Sequence, residues 1–248
     1  MPVAIRFYGL AAIVLGVPGL VFGKFGAMGV ALPASMASPP LAMALAVFLI
    51  LAGLALNLQR TAGIAALALA GFFGIRVLVL EIPRAFAAPT IWVSYEVIAE
   101  PLAMALGGLL AFLLLREPRS ARVEMLLRLL PRIFGLCLVV FGTSEFVYAA
   151  FTATFVPAWL PPSGLFWAYV TGGCQIAAGL AVLSGVQARL AAVLLTIMYL
   201  VFALIVHPAR VLADPSAPGA WAENGVNLVL MGAAWVLAVT LGRPEAER

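Results

Sequence analysis

Long apolar stretches alternate along this chain with short polar or Pro/Gly-rich breaks. The apolar runs fall at about 5–22, 41–58, 62–80, 92–115, 133–151, 165–184, 190–206 and 226–241. Each has the length of a helix that crosses the hydrocarbon core, about 20 residues at about 1.5 Å per residue. None shows the short alternation of a half-buried strand. The pattern predicts an all-α membrane protein with eight transmembrane helices. Composition agrees: 65% of the 248 residues are hydrophobic and 10% charged. A soluble domain is roughly half apolar and a quarter charged. A soluble enzyme, a nucleic-acid binder and a disordered chain are thereby excluded, and the lipid bilayer is the expected surroundings.

The two halves of the pattern resemble one another. Arg6-Phe-Tyr-Gly-Leu10 matches Arg132-Ile-Phe-Gly-Leu136 at an offset of 126, and Ala52-Gly-Leu-Ala55 recurs as Ala178-Gly-Leu-Ala181 at the same offset. Leu32-Pro-Ala-Ser35 recurs as Leu160-Pro-Pro-Ser163, and Arg60 and Trp92 recur as Arg189 and Trp221 after small shifts. The reading is two four-helix bundle units, 1–115 and 132–248, joined by a cytoplasmic linker at 116–131. An even number of spans per unit makes the repeat parallel, about an axis along the membrane normal. The counterpart in the second half also argues against taking residues 1–22 for a signal peptide. Ten basic residues (Arg6, Arg60, Arg116, Arg119, Arg122, Arg128, Arg132, Arg189, Arg243 and Arg248) fall on the side of the termini. Lys24, Arg84 and Arg210 fall on the other, and Arg76 falls within a span. The excess of basic residues on cytoplasmic loops therefore puts both termini in the cytoplasm.

With so few charges, those inside spans carry the information, because an ionised group in hydrocarbon is costly unless paired or wetted. Arg76 lies near the outer end of the third run, Glu96 and Glu100 enter the fourth from the same side, and Glu145 lies near the outer end of the fifth. Gln175 is mid-span, and His207 and Arg210 sit where the seventh run leaves the membrane. Glu81, Asp214, Glu223 and Asn224 are read as in or beside the outer loops. Glu96 and Glu100 share one helix face by their i, i+4 spacing. Pro101 frees the carbonyl of Val97 and favours a kink beside them. Two readings follow. In one, Arg76 and the glutamates form a satisfied ion-pair cluster that locks helices. In the other, Arg76, Glu96, Glu100, Glu145, Gln175, His207 and Arg210 line a polar pocket open to the periplasmic side.

Other features are structural in the first instance. Cys137 and Cys174 read as small buried hydrophobes, a redox pair only if their helices meet at equal depth. Trp92, Trp159, Trp167 and Trp221 suit an interfacial belt. The small residues at 107–108, 172–173 and 177–179 suit close helix packing, and the Pro-rich stretches at 33–40 and 157–162 suit caps over the outer face. One histidine rules out a bis-histidine haem from this chain alone. No zinc spacing, phosphate loop or dinucleotide motif is present, so the expectation is no metal, and no cofactor beyond a quinone.

The second half resembles the DoxX/DoxD-like family of four-helix bacterial membrane proteins. The residues that carry the resemblance are Arg132-Ile-Phe-Gly-Leu136, Thr171-Gly-Gly-Cys-Gln-Ile-Ala-Ala-Gly-Leu180, Arg189 and His207-Pro-Ala-Arg210. The family usually has an acidic residue where this chain has Gln175. The first half resembles the same unit more faintly. The resemblance implies an inner-membrane protein, subunit or accessory, linked to quinone and thiol redox chemistry and to a redox partner protein. It carries over no catalytic residue. Rival readings are a membrane-embedded lipid isomerase, similar to the emopamil-binding sterol isomerases, that uses intramembrane glutamates as acid and base, and a purely structural membrane partner. A small-solute transporter fits less well, because the cytoplasmic half is almost devoid of polar side chains. The orientation is directly testable: a reporter active only in the cytoplasm should be active when fused to residue 248 and inactive when inserted in the loop at 214–217.

Overall fold

The computed structural model describes residues 1–32, 37–116 and 120–243, and these residues are helical with no strand among them. Eight helices are long and apolar enough to cross a membrane: α1 (Val3–Phe22), α2 (Pro39–Leu56), α3 (Ala62–Ala87), α4 (Val93–Leu114), α5 (Ala121–Val147), α6 (Gly164–Ser184), α7 (Ala188–Ala213) and α8 (Pro218–Leu241). Helix is the form that lets every backbone polar group bond within its own segment, which hydrocarbon demands. Several helices outrun the apolar pattern. α3 and α7 continue to Ala87 and Ala213, and α5 and α8 begin at Ala121 and Pro218. The added turns hold Arg84, Arg122, Glu124, Arg128, Arg210 and Glu223, which lower hydropathy without breaking a helix. The stretch read as a linker is thus helical from Ala121 onward, and the Ser120 hydroxyl caps it by accepting from the Val123 amide. Arg119 and Arg248 of the orientation count, and residues 33–36 of the first Pro-rich stretch, lie outside the described residues.

Each helix packs on its neighbours in sequence, and α8 also packs on α1. α4 packs on α8. These two are the inner helices: 61% and 67% of their most apolar windows are buried, against 28–50% for the other six. Lipid tails are as apolar as leucine, so association here depends on close van der Waals fit rather than on hydrophobic exclusion. Glycine supplies that fit. A Cβ on Gly9 would lie 2.8 Å from the Gly53 carbonyl oxygen between α1 and α2. A Cβ on Gly179 would lie 2.7 Å from the Gly135 carbonyl oxygen between α5 and α6. Both members of the second pair stand 126 residues after those of the first. At the junction of α1, α4 and α8, the buried Tyr8 hydroxyl donates to the Met104 carbonyl at 2.7 Å. A Cβ on Gly232 would lie 2.8 Å from the Tyr8 Cα, so that glycine makes room for the tyrosine.

α3 and α7 share an irregularity. Residues 77–81 and 202–206 form single π-helical turns, each followed within two residues by a proline, Pro83 or Pro208. The wider turn places one extra residue in the helix. On the side opposite the termini, the loops are tacked to the helices that follow them. The indole N–H groups of Trp167 and Trp221 donate to the carbonyls of Pro161 and Pro215, both at 2.9 Å, and the Tyr95 hydroxyl donates to that of Pro89 at 2.8 Å.

The packing predicts a contrast between neighbouring glycines. A Cβ on Gly142 would press on Ile176 Cγ1 at 2.6 Å, whereas one on Gly173 would meet nothing within 4 Å. Gly142→Ala should cost about 1–3 kcal/mol as an overpacked contact, and Gly173→Ala should be neutral or slightly stabilising. Thermal unfolding of the detergent-solubilised protein measures both.

Candidate functional site

Arg76 belongs to α3, one residue before the π-turn, and is only 8% exposed. The helix runs eleven residues beyond it, so it lies roughly 16 Å from the helix end at about 1.5 Å per residue, deeper than the apolar pattern suggests. Its Nε donates to Glu81 Oε1 at 3.1 Å and its Nη2 to Glu100 Oε1 of α4 at 3.4 Å. Glu81 is 1% exposed. This corrects its placement in or beside an outer loop. In a regular α-helix, residue i+5 is about 140° round the axis from residue i. The π-turn accommodates one more residue per turn and brings Glu81 back onto the face of Arg76. Glu81 Oε2 accepts from Arg84 Nη1 at 2.9 Å, and Arg84 also donates to the carbonyl of Ala31 in the first outer loop. Two arginines and two glutamates thus form a closed network with balanced charge.

A second polar group lies where α4 meets α5. The Trp92 indole donates to the Ser144 hydroxyl at 2.9 Å, and Glu96 lies close to Ser144. The Val93 amide, one of the unpaired donors at the start of α4, donates to the Tyr148 hydroxyl at 3.0 Å. Glu145 lies within electrostatic reach of Glu96 and close to Thr152. Tyr199 of α7, 3% exposed, lies within electrostatic reach of Glu145 and Glu100. Gln175 of α6 is 4% exposed. The glycine contacts between α5 and α6 set it level with Val139, on the helix that carries Glu145. Several buried atoms in this group have no hydrogen-bond partner among the described residues: Glu145 Oε2, Gln175 Oε1 and the Tyr199 hydroxyl, with His207 Nδ1 further along α7. Buried polar atoms are nearly always paired, so orphans in adjoining helices stand out.

Arg210 is placed apart from that group. Its guanidinium makes a two-pronged bond to Glu223 of α8, at 2.7 and 3.3 Å, and lies 4.0 Å above the Phe155 ring. His207 stacks edge-on to Phe202. The residues singled out in the sequence therefore divide. Arg76 and Glu100 join the closed network, Glu96 and Glu145 the second group, Arg210 clamps α7 to α8, Gln175 lies buried on α6, and His207 stacks on Phe202. Sequence reasoning did not single out Tyr199, Ser144 and Thr152, ordinary residues in apolar runs whose part comes only from their neighbours. Cys137 is buried as expected, but Cys174 is exposed, which corrects its reading as a buried hydrophobe; both are free thiols.

The helices and their intramembrane polar residues describe a multi-pass membrane protein. The DoxX family model matches residues 125–208, about a third of the chain. The match runs through α5 and α6 and along α7 to His207-Pro208, in agreement with the resemblance read from Arg132–Leu136 and Thr171–Leu180, and the chain is DoxX-like in this segment. No curated protein and no solved structure matches it.

The closed network predicts an asymmetry among variants. Arg76→Leu leaves Glu81 buried with only one of its two cations and should destabilise the protein by about 3–5 kcal/mol. Adding Glu81→Leu and Glu100→Gln to Arg76→Leu removes the carboxylates that lost their cation and should recover most of that loss, as read by thermal unfolding.

Proposed function

We propose that this protein is a DoxX-like inner-membrane subunit or accessory protein. In this reading, it binds a small lipophilic ligand, such as a quinone, in the outer half of its second four-helix unit and serves thiol or oxidative redox metabolism beside a redox partner. The observation that carries the reading is the set of buried atoms without partners, Glu145 Oε2, Gln175 Oε1 and the Tyr199 hydroxyl. A ligand headgroup that reached them would relieve their burial cost, while its apolar tail rested among side chains of the same polarity as lipid. All three residues fall within the segment matched by the family model, and Glu96 of the first unit lies within electrostatic reach of Glu145. Ligand-binding weight therefore moves from Arg76, which is already paired on two sides, to Glu96, Glu145, Gln175 and Tyr199.

The same reading includes two parallel repeats with cytoplasmic termini. Its support is the recurrence of the Gly9–Gly53 contact as Gly135–Gly179 and of the π-turn at 77–81 as that at 202–206, together with the arginine excess on the side of the termini.

Mass spectrometry of small molecules that co-purify from the native membrane tests the proposal. Wild type should retain a specific lipophilic compound, and a folded variant carrying Glu145→Leu, Gln175→Leu and Tyr199→Phe should lose it. Identical, nonspecific lipid in both preparations would refute the ligand-binding reading.

A further inference from the structure

The connections that follow α1 and α5 share a short motif but differ in how they sit. Phe25-Gly-Ala-Met28 follows α1, and Phe151-Thr-Ala-Thr154 stands 126 residues later, after α5. The first forms a 3-10 turn with Phe25, Ala27 and Met28 buried, and a Cβ on Gly29 would lie 2.8 Å from Val226 Cγ2 of α8. That turn is seated in the bundle. After α5, Tyr148 breaks the helix, and a four-residue helix (Ala149–Thr152) and a 3-10 turn (Ala153–Phe155) follow, with only Ala149 buried among them. Phe25 is 5% exposed and Phe151 65%.

The cause lies at the end of the preceding helix. A Cβ on Gly19 of α1 would lie 2.8 Å from Ala46 Cβ of α2 and 2.5 Å from Met28 Sδ, so Met28 fills the space that the glycine leaves. The helix contact recurs 126 residues on with the glycine on the other helix: a Cβ on Gly172 of α6 would lie 2.7 Å from Glu145 Cβ of α5. Glu145 therefore stands at the counterpart of Gly19, and its side chain occupies the room that a seated turn needs. Close-packed interiors do not hold both. What fastens the unseated connection is polar and peripheral. The Val93 amide donates to the Tyr148 hydroxyl at 3.0 Å, and the Arg210 guanidinium, paired with Glu223, lies 4.0 Å above the Phe155 ring. Arg84, 126 residues before Arg210, likewise reaches the connection of its own unit, through the Ala31 carbonyl.

We infer that residues 149–155 are a lid, hinged at Tyr148, which Glu145 keeps out of the bundle and Arg210 fastens through Phe155. Its closed state is the seated arrangement of residues 25–28. Closing requires the Glu145 side chain to vacate its place, so the positions of lid and carboxylate are coupled. The lid is independent of whether a ligand binds nearby.

Hydrogen exchange of the full chain in lipid nanodiscs, read by mass spectrometry, tests this. In wild type, the amides of 149–156 should exchange about tenfold or more faster than those of 25–30. Glu145→Gly with Thr154→Met restores the residue types of the first unit and should slow exchange at 149–156 about tenfold. Glu145→Ala, a milder change, should slow it about threefold, and Glu145→Gln, which keeps the bulk, should leave it unchanged. Phe155→Leu keeps the Arg210–Glu223 pair and should speed exchange there about threefold, with 25–30 unaffected. Equal protection of the two segments in wild type would overturn the lid, and that comparison needs no variant. Wild-type exchange in the folded Glu145→Ala protein, or equal slowing in Glu145→Gln, would overturn the part given to Glu145. Unchanged exchange in Phe155→Leu would overturn the fastening by Arg210.

Discussion

A charge placed among hydrocarbon chains has to find its counter-charge within the protein, and in this molecule that requirement shapes α3. Arg76 lies more than two helical turns inside the span, where hydration cannot reach it cheaply. It is satisfied because the π-turn at 77–81 swings Glu81 onto its face while Glu100 reaches it from α4. The same glutamate holds Arg84, and Arg84 in turn holds the first outer loop through the Ala31 carbonyl. One pair of carboxylates therefore connects the interior of the bundle to the loop that holds Ala31. A buried network of this kind adds little net stability over an apolar core, but its partial removal is expensive. Its contribution is to hold α3, α4 and the outer loop in one arrangement.

With that network closed, the remaining polar residues stand out by contrast. Glu96, Glu145, Gln175 and Tyr199 come from α4, α5, α6 and α7, and three of the four carry atoms with no partner. The helices that carry them approach closely. Glycine contacts bring α5 against α6, and the two inner helices, α4 and α8, sit against one another. α4 also carries the indole and carboxylate that reach across to Ser144 of α5. These unpartnered atoms thus all belong to the last four helices, with Glu96 of α4 beside Glu145.

Much of this was legible in the order of residues. Eight apolar runs of membrane-spanning length become eight helices because hydrocarbon leaves the backbone no other way to satisfy its polar groups. The rarity of charge in those runs singled out Arg76, Glu96, Glu100 and Glu145, and the i, i+4 rule put two of them on one face. The resemblance carried by Arg132–Leu136 and Thr171–Leu180 is met by the family match across α5, α6 and α7.

The tertiary structure alone decided which of those polar residues share a partner. Glu81 stands five residues after Arg76, a spacing that α-helical periodicity places on another face, and only the π-turn joins them. Tyr199, Ser144 and Thr152 look like ordinary members of apolar runs, and their part in the site comes from neighbours on other helices. Arg210, grouped by sequence with His207, instead clasps Glu223 of α8. The physical reason is one of range. Hydropathy and helical periodicity are sums over nearby residues and survive in the sequence, whereas ion pairs and orphaned polar atoms depend on which faces of separate helices come into register, which is set by packing across the whole bundle.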